Sequence, residues 1–257
     1  MSEVTVICCY NNEKVYGDFV NTLKTQTCPY ELIGIDNRGN GKFTSCAAAY
    51  NSVIDRVKTK YVIYSHQDIM LNTPDFLSKF AACLERTQIN DILGVAGVRF
   101  DSGSALSNIL HVDPETGELV PAGKFPSGCD LAECFTLDEC FFGGHTEHFK
   151  AYPFNAKICN GWHLYAVEAC LKTQAINMNA GRVYSCDVSL IHNSTDGTNF
   201  AFYRQFFRLC GYYAKYFPRI KTTCTDGKTD FIHRYVRIVH AAFHELKRRV
   251  LHKVASK

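Results

Sequence analysis

Continuous apolar runs alternate along the chain with stretches in which apolar residues recur at helical spacing. The run at residues 4–10 predicts a strand buried on both faces, and the runs at 31–36, 61–65 and 92–98 predict three further strands. Between them, apolar residues fall at i, i+3, i+4 and i+7, as they do from Tyr16 to Leu23, which predicts amphipathic helices. The resulting order β-α-β-α-β-α-β predicts a parallel sheet covered by helices.

The second half of the chain departs from this alternation. Residues 101–134 form a long excursion with a turn expected at residues 113–117. Beyond it the pattern predicts a strand at 135–142, a helix at 164–173, a strand at 182–191, helical structure from 200 to Pro218, and a last helix at 230–253. We therefore expect an α/β body followed by a helical C-terminal extension.

Charge separates the same two parts. Residues 1–203 carry a net charge of −7 and residues 204–257 a net charge of +10. Residues 231–257 hold seven Lys or Arg against Glu245 alone, together with an apolar face, so we expect this helix to lie on an anionic membrane surface. The alternative is a helix packed on the body with its basic face in solvent. We expect no nucleic acid as a partner, because no nucleic-acid motif accompanies the basic residues.

The thirteen cysteines contain no CxxC pair, which excludes zinc-ribbon and thioredoxin-like sites. Reduced, buried cysteines are typical of a cytosolic protein. The first residues run directly into an apolar strand without a leader pattern, and no apolar stretch is long enough to span a bilayer. We expect a cytoplasmic protein, at most peripheral on the inner face of the membrane.

Polar residues follow the predicted strands at the edge where ligands bind in parallel α/β sheets. The triplet His66-Gln67-Asp68 comes directly after the strand at 61–65, and its carboxylate suits a divalent cation that also holds a diphosphate. The alternative is a turn aspartate. Asp36 follows the second strand, where such an acid accepts a hydrogen bond from a base or ribose. No GxGxxG or P-loop is present, so a phosphate would need a metal or a side chain such as Lys42.

The order of several motifs over roughly residues 4–216 resembles that of family 2 glycosyltransferases, which have the GT-A fold. The strings that carry the resemblance are VTVICCYNNE, QTCPYELIGIDNRGN and AAAYNSVIDRVKTKYVIYSHQDI, followed by LDEC, NGWHLYAVEACL and SLIHNS. The later strings resemble a bacterial subgroup with His-Gln-Asp in place of Asp-x-Asp. The resemblance implies a GT-A (Rossmann-like) mixed, mainly parallel sheet flanked by helices, with residues 1–200 as the catalytic domain and 201–257 as a basic helical extension.

The resemblance also implies a reaction and its substrates. We expect a sugar to be moved from a nucleotide-diphosphate donor, with UDP favoured, to a hydroxyl of a glycan or lipid-linked acceptor. The reaction is expected to be inverting and metal-dependent, in surface polysaccharide or glycan assembly. The expected donor-binding residues are Tyr10, Asn12, Asp36, Arg38, Lys42, Asn51, His66, Gln67 and Asp68. Trp162, the one tryptophan, is expected to stack on the acceptor sugar, with core packing as an equal alternative.

The catalytic base is less well defined. The family usually has a Glu-Asp pair at the position that Tyr165-Ala166 occupies here. The base is therefore expected among Asp138, Glu139, His163 and Glu168. A carboxylate inside the apolar run at 135–142 is costly to bury unless it is paired, for example with Arg99, or functional.

A cation site completes the expectation. Asp68 and His192 each follow a predicted strand, and the resemblance implies that they hold Mn²⁺ or Mg²⁺, with His66 as a reserve ligand. A histidine at the end of a strand that only satisfies local hydrogen bonds is the alternative for His192. The rival for the whole chain is a non-catalytic nucleotide-sugar or carbohydrate-binding protein that has lost its base, a reading that Ala166 favours.

Overall fold

A computed structural model describes residues 3–39, 41–113, 115–176, 181–193 and 198–255. The strands in this part of the chain are β1 Val4–Tyr10, β2 Tyr30–Asp36, β3 Tyr61–Ser65, β4 Ile69–Leu71, β5 Ile92–Gly94, β6 Ala96–Val98, β7 Ala105–Ser107, β8 Leu110–Val112, β9 Leu119–Pro121, β10 Leu131–Glu133, β11 Thr136–Leu137, β12 Phe141–His145, β13 Val183–Cys186, β14 Leu190–His192, β15 Arg219–Lys221 and β16 Asp226–Lys228.

The helices cover the sheet and form the C-terminal end of the chain. They are α1 Glu13–Lys24, α2 Cys46–Asn51, α3 Phe76–Glu85, α4 Thr146–Ala151, α5 Tyr165–Ile176, α6 Phe200–Tyr213 and α7 Phe231–Ala255, with a single 3₁₀ turn at Ile54–Arg56. No helix among the described residues is long and apolar enough to cross a membrane.

The largest sheet has seven strands in the order β10-β13-β5-β12-β3-β1-β2. Strands β2, β1 and β3 are parallel, and β13 is parallel to β5, whereas β12 runs antiparallel to both β3 and β5. Strand β10 is also antiparallel to its neighbour. The expected α/β fold with a mixed sheet flanked by helices is therefore confirmed.

Three of the predicted strands are each divided in two. The run at 92–98 becomes β5, in the large sheet, and β6, which pairs with β7 and β11 in a three-stranded sheet. The runs at 135–142 and 182–191 divide in the same way, and the excursion at 101–134 holds β7 to β10. The residues on both sides of the first division are buried, so the apolar pattern carries no mark of the point where the chain changes sheets.

The core lies on both faces of the large sheet. Along β3, Val62 and Tyr64 point to the cluster that holds α5 and α6, while Tyr61 and Ile63 point to the cluster that holds α1 and α3. This alternation explains why β3 reads as a continuous apolar run: each face of the strand is covered. Its carboxyl end is thereby fixed on both sides, directly before His66.

Helix α6 and the β15–β16 hairpin belong to the same packed body. Phe202, Phe206 and Leu209 of α6 and Ile220 of β15 lie in the hydrophobic cluster that also contains α5. The expected division of the chain into residues 1–200 and 201–257 stays a prediction. Helix α7 packs on α6. Of the residues named in the sequence, Pro114, Ser194 and Lys257 lie outside the described part, as do the side chains of Arg249 and Lys253.

Candidate active site

Two neighbouring strands bring Asp68 and His192 together. After β3 the chain crosses into a smaller four-stranded sheet through β4, and β14 pairs antiparallel with β4 so that His192 lies opposite Ile69. The Asn193 amide donates a hydrogen bond of 2.9 Å to the carbonyl of Asp68. The strand ends that the sequence singled out are thus adjacent, because pairing between β4 and β14 sets their register.

His66, Asp68 and His192 form one group of potential metal ligands. Asp68 Oδ1 lies 3.7 Å from His66 Nδ1 and 3.5 Å from His192 Nε2. Within the described residues this is the group of three such side chains whose ligand atoms all lie within 4.8 Å of one another. The Nε2 atom of His192 is buried and has no well-formed hydrogen bond. A carboxylate between two imidazoles with an unsatisfied nitrogen fits a divalent cation of the Mn²⁺ type.

Groups outside the cluster contact both of its histidines, one at the ring and one at the backbone. The Tyr165 hydroxyl lies 3.0 Å from His66 Nε2, which leaves His66 Nδ1 facing Asp68. The His111 Nδ1 lies 2.8 Å from the carbonyl oxygen of His192 and holds the end of β14. A partner on the second ring nitrogen, as the Tyr165 hydroxyl is for His66, fixes ring orientation at metal sites.

The charges within the cluster shift its pKa values. Burial would raise the pKa of Asp68, but His192 and His66 outweigh it and lower the pKa below its usual value. Burial would lower the pKa of His192, but Asp68 and Asp138 outweigh it and raise the pKa. Burial lowers the pKa of His66. The carboxylate of Asp68 is therefore held in its ionised form.

Asp138 and Glu139 lie at the same edge, between β11 and β12, in different environments. Asp138 is half-buried: its Oδ1 accepts a hydrogen bond of 3.0 Å from the Cys140 amide, and its Oδ2 accepts one of 2.7 Å from the Thr223 hydroxyl. Burial would raise the pKa of Asp138, but the charge of His192 and the Thr223 hydroxyl outweigh it and lower the pKa. Arg99 pairs with Asp101 at 3.1 Å, so the ion pair considered for these carboxylates is formed elsewhere.

The pKa of Glu139 is shifted in the opposite direction. Burial, followed by the neighbouring charge of Asp138, raises the pKa of Glu139 well above its usual value. Its Oε1 atom is buried without a hydrogen-bond partner. The backbone amides of Leu164 and Tyr165, at the start of α5, oppose this shift. Leu164 has a φ of +66°, an uncommon value for a non-glycine residue, and this backbone turn starts the helix beside the carboxyl group.

Glu168 lies inside the protein, away from this edge. It has no exposed surface. Its oxygens accept hydrogen bonds from the Tyr213 hydroxyl at 2.8 Å and the Asn155 amide at 3.2 Å, and Lys172 Nζ lies 3.1 Å away. Both oxygens of Glu168 are thus engaged by neighbouring residues in the interior, and its burial keeps them from solvent.

His163 and Trp162 precede α5 on the other side of the cluster. The His163 ring contacts Phe202 edge-on with centroids 5.6 Å apart, and its carbonyl accepts a hydrogen bond from Gln205. After burial and other charges, His163 also contributes to lowering the pKa of His66. Trp162 is 43% exposed. Trp162 is therefore not a core residue, and its ring is available for stacking on a ligand.

The first two strand ends form a polar surface beside the cluster. Asp36 accepts hydrogen bonds from the Arg38 side chain at 2.9 and 2.7 Å and from its amide at 3.0 Å. The hydrogen bonds from Arg38 lower the pKa of Asp36 to about 2, and Arg38 also pairs with Glu13. The Tyr10 ring stacks on Tyr16 with centroids 4.0 Å apart.

Gln67 joins this surface to the cluster. Its Oε1 accepts hydrogen bonds from the amides of Asn11 and Asn12 at 3.1 and 3.0 Å, and its Nε2 donates one of 2.7 Å to Asn11 Oδ1. Lys42 is exposed, 5.4 Å from the centroid of the Phe43 ring. Two other expected donor residues serve the backbone. Asn12 caps α1 through its side-chain oxygen, and Asn51 exchanges two hydrogen bonds with the backbone of Phe154.

The structure thus brings His66, Asp68 and His192 together with both carboxylates of the Asp138-Glu139 pair, and separates Glu168 from them. Sequence reasoning missed three residues that support the group: His111, Tyr165 and Thr223. Tyr165 stands where the resembling family has an acidic pair. This difference drew attention to the position but did not indicate that its hydroxyl contacts His66. Thr223 lies in a polar loop that carries no pattern.

Comparisons with known structures show where this fold occurs. The chain superimposes on S. aureus TarS with a TM-score of 0.55 at 15% identity, over 84% of this chain and 39% of that chain. GalNAc-T7, solved with UDP, GalNAc and Mn²⁺, gives a TM-score of 0.60 at 9% identity, over 81% and 47%. The mannosyltransferase PcManGT from Pyrobaculum calidifontis, solved with GDP-Man and Mn²⁺, gives 0.52 at 11% identity, over 82% and 62%. The chain therefore has the GT-A fold and spans less than two thirds of each of these proteins.

Sequence comparison identifies the family. A curated protein of Fuscovulum blasticum described as "ATP synthase subunits region ORF 6" is 25% identical over 204 residues, which is 77% of each chain. The model of a family described as glycosyltransferase-like matches residues 5–205. That match contains the strand ends, the histidine-aspartate cluster and the Asp138-Glu139 pair, and it covers well over half of the chain. This protein is a member of the glycosyltransferase-like family.

Proposed function

We propose that the protein transfers a sugar from a nucleoside-diphosphate sugar to a hydroxyl group of a glycan or lipid-linked acceptor. The observation that carries the proposal is the arrangement of the His66–Asp68–His192 cluster, with Asp138 beside it and the Asp36 surface next to it on the same sheet edge. Such a site meets the three needs of the reaction: neutralisation of the leaving diphosphate, a base for the acceptor, and a fixed donor.

The donor end favours UDP. Asp36 lies at the end of β2 and is ionised, so it can accept a hydrogen bond from an N–H group of a base. Uracil and guanine both carry such a group. TarS has been solved with UDP and with UDP-GlcNAc, and GalNAc-T7 with UDP, which favours uracil.

Asp68 and His192, with His66 beside them, would hold Mn²⁺ or Mg²⁺. When bound, the cation supplies positive charge to the leaving diphosphate. Two of the related structures contain Mn²⁺, which supports this choice of ion. The chain's own contribution is to keep Asp68 ionised, to orient the His66 ring through the Tyr165 hydroxyl and to hold the end of β14 through His111.

Asp138 is the proposed base. The charge of His192 and the Thr223 hydroxyl keep its pKa low against burial, and the Cys140 amide and the Thr223 hydroxyl each donate a hydrogen bond to one of its oxygens. Burial raises the pKa of Glu139 well above its usual value, and Glu168 is engaged in the core. A single base acting with an in-line displacement inverts the configuration at the sugar carbon. Trp162 is proposed to stack on the acceptor, and the glycan is proposed to belong to surface polysaccharide assembly.

The test compares nucleotide binding with turnover. A thermal-shift panel of nucleotides and nucleotide sugars with Mn²⁺ identifies the donor, since a ligand of the folded state raises apparent stability. Donor hydrolysis is then measured for wild type, Asp138→Asn and a matched exposed control, Asp101→Asn. We expect Asp138→Asn to lower kcat by about 10²–10⁴ with an unchanged nucleotide shift, and the control to match wild type.

Two outcomes contradict the proposal at different levels. An Asp138→Asn protein with wild-type kcat removes Asp138 as the base. Nucleotide-sugar binding by wild type without hydrolysis or transfer to any acceptor supports the rival, a binding protein that has lost its base, for which Ala166 is the sequence observation.

A further inference from the structure

Helix α7 presents its apolar side to solvent. Seven large apolar side chains along it are between 51% and 72% exposed. They form an apolar stripe, which consists of Phe231, Ile232, Tyr235, Val236, Val239, Phe243 and Leu246. Ile232, Val236, Val239, Phe243 and Leu246 are spaced alternately four and three residues apart, which places them on one side of an α-helix. Exposure of this extent on one side of one helix indicates an interaction surface.

The opposite side of α7 holds the helix on the body through polar contacts. The Arg234 guanidinium lies 4.8 Å from the centroid of the Phe207 ring of α6 and donates a hydrogen bond of 3.3 Å to the Phe207 carbonyl. Arg237 lies 5.5 Å from the centroid of the Phe206 ring and donates to the β15–β16 hairpin. Ala241, one turn beyond Arg237 on the same side of the helix, is buried. The helix therefore does pack on the body, but it does so through its arginine side. The apolar stripe is left uncovered.

Either a second copy of the chain or a lipid surface could cover the apolar stripe, and the charge of the helix distinguishes between these two partners. The four-and-three spacing also suits a coiled coil with a second copy of the chain. However, residues 231–255 carry six Lys or Arg and one acid, Glu245. Two such helices side by side would repel one another, since each offers almost no carboxylates to pair with the other's cations. An anionic lipid surface supplies the missing negative charge and accepts the apolar stripe at its acyl boundary.

A cavity beside the apolar stripe is lined by further positively charged side chains. It has a volume of about 1110 Å³ and lies between α7, the start of α6 and the β15–β16 hairpin. Its cationic lining includes Arg219, Lys228, Arg237 and Arg248, together with His240 and His244. Asp226 and Glu245 pair with two of these arginines. The cavity opens next to Ile232 and Val236 of the apolar stripe, where the headgroups of a lipid surface would lie.

We propose that α7 binds the surface of an anionic bilayer, with the apolar stripe inserted at the level of the headgroups. Vesicle binding needs neither donor nor acceptor, so the proposal stands or falls independently of glycosyl transfer.

The experiment measures cosedimentation of the full chain with phosphatidylcholine vesicles, with and without phosphatidylglycerol. We expect binding only to the anionic vesicles, and its loss at high salt. The double variant Phe243→Ser/Leu246→Ser should bind at least about tenfold more weakly, because both side chains leave water on insertion. The variant Lys247→Glu should bind about tenfold more weakly through charge alone.

The matched control is Ile89→Ser, which removes an apolar side chain that is 55% exposed outside α7. It should bind like wild type. All variants should unfold at the wild-type temperature, because the substituted side chains are exposed.

Equal binding by the Phe243→Ser/Leu246→Ser variant, or equal binding to neutral and anionic vesicles, overturns the proposal. So does a wild-type dimer, seen by sedimentation velocity and lost in that variant, in a protein that binds no vesicles. That result would make the apolar stripe an interface between two copies.

Discussion

Replacing Glu168 tests whether a residue expected among the catalytic candidates serves the core. Its carboxylate has no exposed surface and contacts Tyr213, Asn155 and Lys172 at 2.8, 3.2 and 3.1 Å. Lys172 is itself only 14% exposed. Glu168→Ala therefore leaves a nearly buried ammonium group without its counter-charge and a backbone amide without its acceptor.

The expected cost follows from these contacts. Breaking a buried ion pair by removing one partner costs about 3–5 kcal/mol. In a domain of this size, 1 kcal/mol shifts the unfolding midpoint by roughly 2–4 °C, so we expect Glu168→Ala to unfold about 6–20 °C below wild type. Glu168→Gln keeps the shape and one acceptor oxygen, and should lose less.

The assay is thermal unfolding followed by circular dichroism, with two controls. Glu147→Gln alters a similar helical ion pair, with Lys150 at 3.0 Å, but Glu147 is 72% exposed. That exposed pair should contribute at most about 1 kcal/mol. The double variant Glu168→Gln/Lys172→Met removes both buried charges, so it should be destabilised by less than the sum of the two single changes.

Kinetics provide the decisive comparison. If Glu168 supports the core, Glu168→Gln keeps its kcat for donor hydrolysis at a temperature where it is folded. A loss of about 10²–10⁴ in kcat with an unchanged unfolding midpoint would refute this reasoning and identify Glu168 as the base.

Three further predictions concern the sheet edge. Chelator should abolish activity, and Asp68→Ala should cost more than His192→Ala, because only the carboxylate brings negative charge to the cation; full activity in chelator contradicts this. Asp36→Ala should reduce the thermal shift given by the nucleotide while leaving the ligand-free midpoint unchanged, since Asp36 is exposed; an undiminished shift would exclude it from donor binding. Thr223→Val removes a hydrogen bond to ionised Asp138, which raises the pKa of Asp138. The acidic limb of kcat/KM should then move up by roughly one pH unit with little change at neutral pH, and an unmoved limb would show that the hydroxyl does not act on the base.

The sequence predicted the site residues whose position depends only on the end of a strand. Asp68 and His192 follow strands, and parallel or neighbouring strands bring such residues to one edge, so their meeting required no knowledge of side-chain contacts. Asp36 and Gln67 lie on that edge for the same reason. The division of the runs at 92–98, 135–142 and 182–191 could not be predicted, because buried apolar residues continue across each change of sheet or lie close to it.

Roles that depend on local hydrogen bonding were harder to assign. Asn12 and Asn51 occupy motif positions, yet their side chains cap α1 and hold the backbone at Phe154. An asparagine side chain that satisfies backbone groups has the same place in a sequence as one that binds a ligand. Glu168 has helical spacing from Lys172, but only the packing of Tyr213 against it shows that this side of α5 faces inward.

The β15–β16 hairpin links regions that the sequence presents as separate. In its turn, the Thr223 hydroxyl donates to Asp138, and Arg237 of α7 donates to Thr225 and to the carbonyl of Asp226. The family match ends at residue 205, before the hairpin begins. An expression boundary drawn at that point would keep every motif and remove the hydroxyl that orients the proposed base. The shortest chain that retains this support must extend at least through residue 229, whose side chain fastens the hairpin to the carbonyl of Phe217.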